Sequence, residues 1–314
     1  MKYKSLSLLF LFLTVINFVI YFYRDTFHYQ PYRSYAELYK VCDINCKTLW
    51  KTDFLASSTL EQAEARKISK RWLANTPNSS LTKANLLSKY IYETFGHRYG
   101  QPKATLLQLS SLAQYRFLNQ HTSDSLWCGI YSGMFSYFAW SQNIITRNIE
   151  MKYRGDSHVA SECYIPELRK WVVFDPTFGM LGLQNTQGTW LDLQTFREAL
   201  RRNEPIYVLR SMSGKLELMP LERDTWYLDH YYTPANSTDL YYHHTSLHKA
   251  YKPLEKLKRY LFPVSWYDIY DSGSKTNVLY RIKIFFIVLW LLSGGLLLFR
   301  VFKFLRSEPL FGQI

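Results

Sequence analysis

Two long apolar runs lie near the two ends of the chain. Residues 6–23 include no charged side chain, and neither do residues 284–299. At about 1.5 Å per residue, a helix over the first run is roughly 27 Å long, close to the ~30 Å hydrocarbon thickness of a bilayer. The second run has no polar face, and it reaches residue 304 if Arg300 and Lys303 snorkel to the interface. We therefore predict one membrane-spanning helix at each end.

The residues in and around these runs distinguish membrane spans from a cleaved signal peptide and from a buried core helix. A cleaved signal peptide requires small residues after the run, whereas residues 21–25 read Tyr-Phe-Tyr-Arg-Asp. An uncleaved anchor is therefore favoured, and for the second run a membrane span is favoured over a buried core helix. Gly294 and Gly295 would allow close helix approach, and Asn17 a hydrogen bond between the spans. The two helices are thus expected to pack together or against a membrane-protein partner.

Between the runs, the pattern of polar and apolar positions predicts a mixed α and β domain. Apolar residues at three-and-four spacing predict three amphipathic helices, whose default role is packing. They cover residues 58–74, 82–95 and 104–119, the first opened by the capping box Ser58–Glu61 and the second capped by Thr82. Residues 125–142 are apolar on nearly every side, which predicts a helix buried at the centre of the domain.

Strands follow this central helix. Three segments rich in strand-forming residues are separated by turn signals. They cover residues 147–153, 158–165 and 170–174, with a turn at 166–169. A helix near 191–202 and a strand near 206–209 are also expected. Residues 226–251, which are rich in Tyr and His, give no readable pattern.

Composition and charge change this picture in two ways. Hydrophobic residues make up 47% of the 314 residues and aromatic residues 18%, which excludes wholesale disorder. The net charge of +13 would suggest a nucleic-acid partner. However, residues 1–24 carry +3 and residues 278–314 carry +4, which leaves +6 on residues 25–277. No nucleic-acid partner is therefore expected.

The terminal charges predict the orientation in the membrane. Lys2 and Lys4 precede the first span, and Arg300, Lys303 and Arg306 lie at the end of the second. By the positive-inside rule both termini are cytoplasmic, and the main domain faces the periplasm, the exterior or an organelle lumen. The predicted organisation is an N-terminal membrane anchor (1–24), a helical lead-in (25–81), a core (82–185), an accessory extracytoplasmic region (186–277), a C-terminal transmembrane helix (278–306) and a cytoplasmic tail (307–314).

Three residues of the core have the chemistry of a cysteine nucleophile. Cys128 lies in the first turn of the central helix, where the positive end of the helix dipole favours a thiolate. His158 starts one predicted strand and Asp175 ends the next. A nucleophilic cysteine needs a base and a group that orients the base. Taken singly, each residue also has a plainer interpretation: a buried core cysteine, a core histidine and a turn-forming aspartate.

The hairpin decides whether His158 and Asp175 meet. A four-residue loop pairs Ile165 with Lys170, and counting back along both strands places Ala160 opposite Asp175. Because His158 and Ala160 share a strand face, Asp175 is a diagonal neighbour of His158, within reach of its side chain. One imidazole nitrogen can then bind the carboxylate while the other faces the thiol. A change of one residue in the loop would break this arrangement.

Residues 127–179 resemble the transglutaminase-like superfamily, part of the wider papain-like cysteine fold. Four blocks in the same order and at similar spacing support the resemblance. They are Trp127-Cys128-Gly129-Ile130-Tyr131, Asn143-Ile144-Ile145-Thr146-Arg147, His158-Val159-Ala160-Ser161-Glu162-Cys163-Tyr164 and Trp171-Val172-Val173-Phe174-Asp175-Pro176-Thr177. Ala160 stands where the family usually has a tryptophan, and the frequent glycine before Cys128 is missing.

The resemblance implies an α+β fold in which the central helix packs on an antiparallel sheet. It implies Cys128 as nucleophile, His158 as base and Asp175 as orienting acid, with Trp127, Gly129 and Ala160 at the oxyanion site or the site wall. The implied chemistry is acyl transfer at an amide by a peptidase, amidase or transamidase, without a cofactor. With the two spans, this predicts a membrane-tethered hydrolase or transferase acting on a protein, peptide or other amide-bearing substrate of the cell envelope.

Two other functions stay open at this point. The module could be catalytically silent and serve in binding or scaffolding within a membrane or cell-envelope polysaccharide complex. Alternatively, the 26 Tyr and 9 Trp residues suggest an accessory protein that handles a carbohydrate or polymer. This second signal is weak, because aromatic side chains mostly pack in cores.

The remaining cysteines and the histidines have separate interpretations. Cys42 and Cys46 form a C-x-x-x-C pair, either a local disulfide or two free thiols. Cys163 faces away from His158 along its strand, so we interpret it as core packing. The candidate metal cluster has no accompanying carboxylate pattern, so no metal site is expected. It comprises His230, His243, His244 and His248.

Overall fold

A computed structural model of the protein describes residues 2–23, 32–34, 50, 52–153, 156–232, 238–243, 261, 266–268 and 278–307. The chain forms two compact units. The first comprises Met1–Pro31, Leu257–Pro263 and Lys275–Ile314, and the second Tyr32–Lys256 and Val264–Ser274. Cys42, Cys46, His244 and His248 lie outside the described residues. The predicted domain boundaries at residues 82 and 186 stay predictions.

In the second unit a block of consecutive helices is followed by a region made mostly of strands, and the first unit has a long helix near each end of the chain. The helices are α1 (Lys2–Phe22), α2 (Asp53–Ala56), α3 (Thr59–Trp72), α4 (Ser80–Phe95), α5 (Ala104–Leu107), α6 (Ser111–Gln120), α7 (Cys128–Ser141), α8 (Leu193–Arg201), α9 (Asp229–Tyr232) and α10 (Val278–Ser307). The strands are β1 (Tyr32–Ser34), β2 (Thr146–Tyr153), β3 (Asp156–Ile165), β4 (Lys170–Phe174), β5 (Leu183–Asn185), β6 (Ile206–Met212), β7 (Lys215–Pro220), β8 (Thr238–His243) and β9 (Trp266–Asp268).

The two apolar runs are helices of the first unit. Both α1 and α10 are long and apolar enough to cross a membrane. Their contacts run in opposite directions along the two helices. Phe10 stacks on Trp290 at 5.6 Å between ring centroids, Thr14 accepts a hydrogen bond of 2.8 Å from Trp290 Nε1, and Asn17 Nδ2 donates to the Phe286 carbonyl at 3.2 Å. The pair is therefore antiparallel, and the predicted interhelical hydrogen bond of Asn17 is confirmed.

The two glycines of α10 differ in their surroundings. A Cβ at Gly294 would lie 2.9 Å from Cε2 of Phe10, so a larger residue there would collide with α1. A Cβ at Gly295 would meet no described atom within 4 Å. The predicted close approach of the helices is thus confirmed at Gly294 and does not involve Gly295.

In the second unit, α7 lies between a helical layer and a sheet. Every residue of α7 except Gly129 is buried, as the apolar pattern on all its sides predicts. Helices α3, α4 and α6 pack on one side of α7, and strands β2 and β3 on the other. The helix ends before Asn143, whose φ of +61° is a left-handed conformation that asparagine tolerates. The protein is therefore a mixed α+β structure with a central helix on a sheet.

The main sheet has the strand order β1-β9-β8-β2-β3-β4. Its neighbours run antiparallel from β9 to β4, and β1 pairs with β9 in parallel. The sheet is thus antiparallel, as expected, except at one edge. A second antiparallel sheet has the order β5-β6-β7. Strand β6 extends beyond the predicted residues 206–209, and β7 was not predicted.

Two helices differ from their prediction because of local capping. Helix α4 is capped by Ser79 rather than Thr82: Ser79 Oγ accepts the Thr82 backbone N–H at 3.3 Å. The helix predicted over residues 104–119 is two helices, because Ser110 Oγ accepts the Ala113 backbone N–H at 3.2 Å and starts a new helix there. The capping box predicted at the start of α3 is confirmed.

The β3–β4 hairpin positions the predicted catalytic residues. Ile165 pairs with Lys170, so the register predicted from the loop length is confirmed. Arg169, with a φ of +52°, lets the chain turn tightly between the strands. Continued along both strands, this register places Ala160 opposite Asp175.

A buried ion pair joins β2 to β3. Arg147 Nη2 lies 2.6 Å from Glu162 Oε2, and both side chains are completely buried. The guanidinium lies over the Trp171 ring at 4.0 Å from its centroid. The other carboxylate oxygen of Glu162 accepts the Leu193 backbone N–H at 2.7 Å, at the start of α8. One charged pair thus holds the sheet and α8 together, and removing either partner would leave a buried charge unpaired.

Candidate active site

Cys128 is the first residue of α7, with Trp127 at the N-cap position. It is 7% exposed, and its Sγ lies 3.9 Å from the Ser157 carbonyl oxygen. The chain just before it is held in place by a bridge between Leu126 and Tyr99. The first backbone N–H groups of a helix have no intrahelical acceptor. The thiol therefore lies beside hydrogen-bond donors that are available to a developing negative charge.

His158 and Asp175 meet across the hairpin. Nε2 of His158 lies 2.6 Å from Oδ2 of Asp175, and their side chains are 3% and 0% exposed. The other oxygen, Oδ1, accepts the Thr177 backbone N–H at 3.1 Å, and the Asp175 backbone forms a bridge with Met180. Because Nε2 is bound to the carboxylate, Nδ1 is the ring nitrogen left to interact with Cys128.

The environment keeps the imidazole of His158 charged. Burial by itself lowers the pKa of His158, but the charge and hydrogen bond of Asp175, together with a hydrogen bond to Cys128, outweigh burial and raise the pKa from 6.5 to about 10. The ring is therefore an imidazolium at neutral pH. A thiol beside an imidazolium is the arrangement that favours a reactive thiolate.

An aromatic cluster, formed by Tyr99, Phe178, Trp226 and Tyr227, covers His158. The Phe178 ring stacks on the imidazole at 5.0 Å between centroids, and the Tyr227 ring stacks on the Phe178 ring at 4.7 Å. Tyr99 and Trp226 pack on Phe178 at 5.7 and 5.2 Å and are 47% and 62% exposed. The cluster thus excludes water from the ring and ends in an exposed aromatic rim.

The structure adds two residues that sequence reasoning did not place at the site. Tyr231 donates its hydroxyl hydrogen to Oδ2 of Asp175 at 3.0 Å. The His230 ring lies 5.6 Å from the His158 ring, and burial followed by the positive charge of His158 lowers the pKa of His230. The apolar pattern of their segment predicts no secondary structure. Its high content of Tyr and His is the sequence feature that could have indicated a part in the site.

The predicted wall residues lie around Cys128 in different settings. Trp127 is 37% exposed, and a Cβ at Gly129 would meet Trp127 Nε1 at 3.8 Å and Val159 Cγ2 at 4.0 Å. These two residues form the exposed side of the helix start. Ala160 is completely buried opposite Ile149, below the surface of the site. Their roles at an oxyanion site or wall stay predictions.

Cys163 packs in the core, as interpreted from its strand position. It is completely buried, and burial followed by the charge of Glu162 raises the pKa of its thiol well above the usual value. Among the described residues, Cys128 and Cys163 are free thiols. The two therefore differ in their environment, and Cys163 serves as an internal reference for reactivity.

Other ligand-binding features lie away from this chemistry. Within the described part of the chain, no group of three His, Cys, Asp or Glu side chains is arranged to hold a metal ion. A shallow depression of about 620 Å³ lies on the exposed face of α3, far in sequence from Cys128. Its lining has cations and alanines but no nucleophile, which is typical of a solvated helix face: Ala63, Arg66, Lys67, Lys70, Arg71 and Ala74.

Comparisons with known proteins give little further information. No protein-family model matches the chain, and no curated protein matches it. A crystal structure described as a "Putative Cysteine Protease" from Cytophaga hutchinsonii is similar at 16% identity with a TM-score of 0.29. The match covers 56% of this chain and 61% of that one, which is less than two thirds of its length. Membership of the transglutaminase-like superfamily stays a prediction.

Proposed function

We propose that the protein is a membrane-tethered thiol enzyme of transglutaminase-like type that transfers acyl groups at amide bonds. The observation that supports this most is the buried 2.6 Å hydrogen bond between His158 and Asp175, next to Cys128 at the start of a helix. Such a carboxylate fixes the orientation of the imidazole and stabilises its charged form. Cys128 then serves as nucleophile, His158 as general acid and base, and Asp175 as the orienting acid.

In the first half of the reaction, the Cys128 thiolate attacks the carbonyl carbon of an amide. The electron pair of the C=O bond moves to oxygen, and backbone N–H groups at the start of α7 stabilise this oxyanion. The oxyanion then re-forms the carbonyl as the C–N bond breaks, and His158 gives its proton to the leaving nitrogen. An amine leaves, and the acyl group stays on sulfur as a thioester.

In the second half, water or an amine attacks the thioester carbonyl. Neutral His158 accepts the proton of the attacking group, and the C–S bond breaks to restore the thiolate and the imidazolium. Attack by water gives a carboxylic acid, the product of a peptidase or amidase. Attack by an amine gives a new amide, the product of a transamidase. Neither half requires a cofactor.

We place this chemistry outside the cytoplasm, on a protein, peptide or other amide-bearing substrate of the cell envelope. Two antiparallel spans put both chain ends on the same side of a membrane, which agrees with the antiparallel contacts of α1 and α10. Lys4 and the basic residues Arg300 and Lys303 lie at those ends. The positive-inside rule then assigns the shared side to the cytoplasm.

A second candidate function is a catalytically silent transglutaminase-like module that binds or scaffolds a membrane or polysaccharide complex. The low exposure of Cys128, 7%, favours this alternative, because a substrate carbonyl must reach Sγ. The two functions differ in one measurable property, the reactivity of the thiol.

Alkylation of the full-length protein in detergent micelles distinguishes the two functions. We expect iodoacetamide to label Cys128 about 10-fold faster or more than Cys163, since the thiolate is the reactive form. His158→Gln should slow the labelling of Cys128, and Cys163→Ser should leave it unchanged. Equal and negligible labelling of both thiols in the folded protein would favour the silent module.

A further inference from the structure

Tyr231 contacts Asp175 but takes no part in the reaction steps proposed above. Its hydroxyl donates to Oδ2 of Asp175 at 3.0 Å, the same oxygen that binds Nε2 of His158 at 2.6 Å. We infer that Tyr231 is a positioning residue, which holds the Asp175 carboxylate in the orientation that His158 requires. This inference rests on the proposed function, because it assigns Tyr231 a part in the reaction of Cys128.

The hydrogen bonds of Asp175 show why a further donor matters. Among the described residues, the Thr177 backbone N–H binds Oδ1, whereas the His158 ring and the Tyr231 hydroxyl bind Oδ2. The Thr177 bond alone fixes one oxygen and leaves the carboxylate free to rotate about it. The Tyr231 hydroxyl fixes the second oxygen independently of the imidazole, so the carboxylate keeps its direction even while His158 loses and regains its proton.

Burial makes Tyr231 a dependable donor. The residue is completely buried, and burial followed by the negative charge of Asp175 raises the pKa of the Tyr231 phenol well above its usual value. The hydroxyl therefore keeps its hydrogen at neutral pH. A buried hydroxyl without a partner is costly, so the bond to Asp175 also fixes the direction of the tyrosine ring.

The position of Tyr231 is set by helix α8, which lies beyond the residues that resemble a known family. Nε of Arg197 donates to the Tyr231 carbonyl oxygen at 3.1 Å, and Arg197 is 1% exposed. The ring of Phe196 packs against that of Tyr231 at 5.1 Å between centroids. The segment after residue 186 therefore supplies part of the site and is not merely appended to it.

The hydroxyl also affects the charge balance of the pair. A hydrogen bond to Oδ2 stabilises the carboxylate charge and weakens its attraction for the proton of His158. Without the hydroxyl, Asp175 attracts that proton more strongly, and the pKa of His158 rises further. A side chain that only fills space would have no such effect on the pH dependence of the thiol.

The test compares Tyr231→Phe with Tyr137→Phe in the full-length protein. Tyr137 is also completely buried, but its hydroxyl hydrogen-bonds to Ser57 Oγ at 3.0 Å, near the end of α7 that is remote from Cys128. We measure the rate of iodoacetamide labelling of Cys128 against pH. We expect Tyr231→Phe to lower the plateau rate about 10-fold and to move the limb of the pH profile that reports the loss of the His158 proton to higher pH. Tyr137→Phe should match the wild type.

A second variant covers the outcome in which Tyr231→Phe fails to fold. Replacing Tyr231 with 3-fluorotyrosine keeps the ring and strengthens the donor, so the same limb is expected to move to lower pH. A wild-type profile in Tyr231→Phe or in the fluorotyrosine protein would overturn the positioning role. A different result would contradict the proposed function itself: labelling of Cys128 in the wild type would then be as slow as in His158→Gln.

Discussion

Nε2 of His158 and Oδ2 of Asp175 lie 2.6 Å apart, although 17 positions separate the two residues in the chain. The distance depends on the β3–β4 hairpin, whose short loop fixes which residues face each other. Because both side chains are buried, their attraction is weakly screened by water. The pair therefore influences both the stability of the fold and the chemistry of the nearby thiol, and each influence can be measured.

The His158–Asp175 pair makes stability depend on pH. The pKa of His158 rises from 6.5 to about 10 on folding, so its stabilising contribution is complete below pH 6.5 and is lost as the pH rises to about 10. We expect the free energy of unfolding to fall across this window. Urea denaturation at several pH values measures it, and His158→Gln should show a smaller fall. An identical slope in the two proteins would contradict the prediction.

The charge of Asp175 should control the reactivity of Cys128. Asp175→Asn keeps the shape of the side chain but removes the charge that raises the pKa of His158. We expect iodoacetamide labelling of Cys128 at pH 7 to slow by about 10- to 100-fold. Asp192→Asn is the matched control, because Asp192 caps α8 and asparagine also caps helices well. Equal labelling rates in the two variants would show that Asp175 does not act on the thiol.

The buried ion pair of Arg147 and Glu162 should be sensitive to the loss of one partner. Arg147→Met leaves the Glu162 carboxylate without its charged partner at a site with no exposure, and we expect a loss of about 3–5 kcal/mol in the free energy of unfolding. Chemical denaturation measures this loss. The double variant Arg147→Met with Glu162→Leu should recover part of the stability. A single variant as stable as the wild type would contradict this account.

The length of the hairpin loop should decide whether the site forms. A glycine inserted between Leu168 and Arg169 shifts the register of β4 by one position and turns Asp175 toward the opposite face of the sheet. We expect labelling of Cys128 to fall to the rate of the Asp175→Asn variant. A glycine inserted between Ser213 and Gly214, in the turn of the second sheet, is the control and should keep the wild-type rate. Wild-type labelling after the first insertion would be incompatible with the register.

The antiparallel helix pair predicts that both chain ends lie on one side of the membrane. Single cysteines are introduced at Ser5 and Ser307 in a protein whose other cysteines are replaced, and a membrane-impermeant maleimide is applied to intact cells. We expect neither position to label until the plasma membrane is permeabilised, and both positions to label to the same extent afterwards. Labelling of one terminal position from outside would exclude the proposed topology.

Local sequence signals predicted much of this structure because they act over a few residues. The apolar character of α7 on all sides predicted its central position, and the loop length predicted the pairing of Ile165 with Lys170. The capping residue of α4 is a local feature that the sequence did not predict correctly: the prediction was Thr82, whereas Ser79 caps the helix.

The rest of the site depends on contacts between distant segments. Tyr231 reaches Asp175 across 56 positions, and Arg197 holds it from a third segment. Phe178 lies next to the Asp-Pro-Thr sequence, but its stacking on His158 depends on the fold of the whole sheet. The periodic pattern of apolar residues does not predict these contacts, because each contact joins two single residues that are far apart in the chain.

The hydrogen bond from Asn17 to the Phe286 carbonyl spans 269 positions of the chain. During synthesis it cannot form until every residue of the intervening domain has been translated. The intervening domain therefore has the opportunity to fold before α10 pairs with α1. The pairing of the two helices is thus a late step of folding, and a chain interrupted before α10 would lack it altogether.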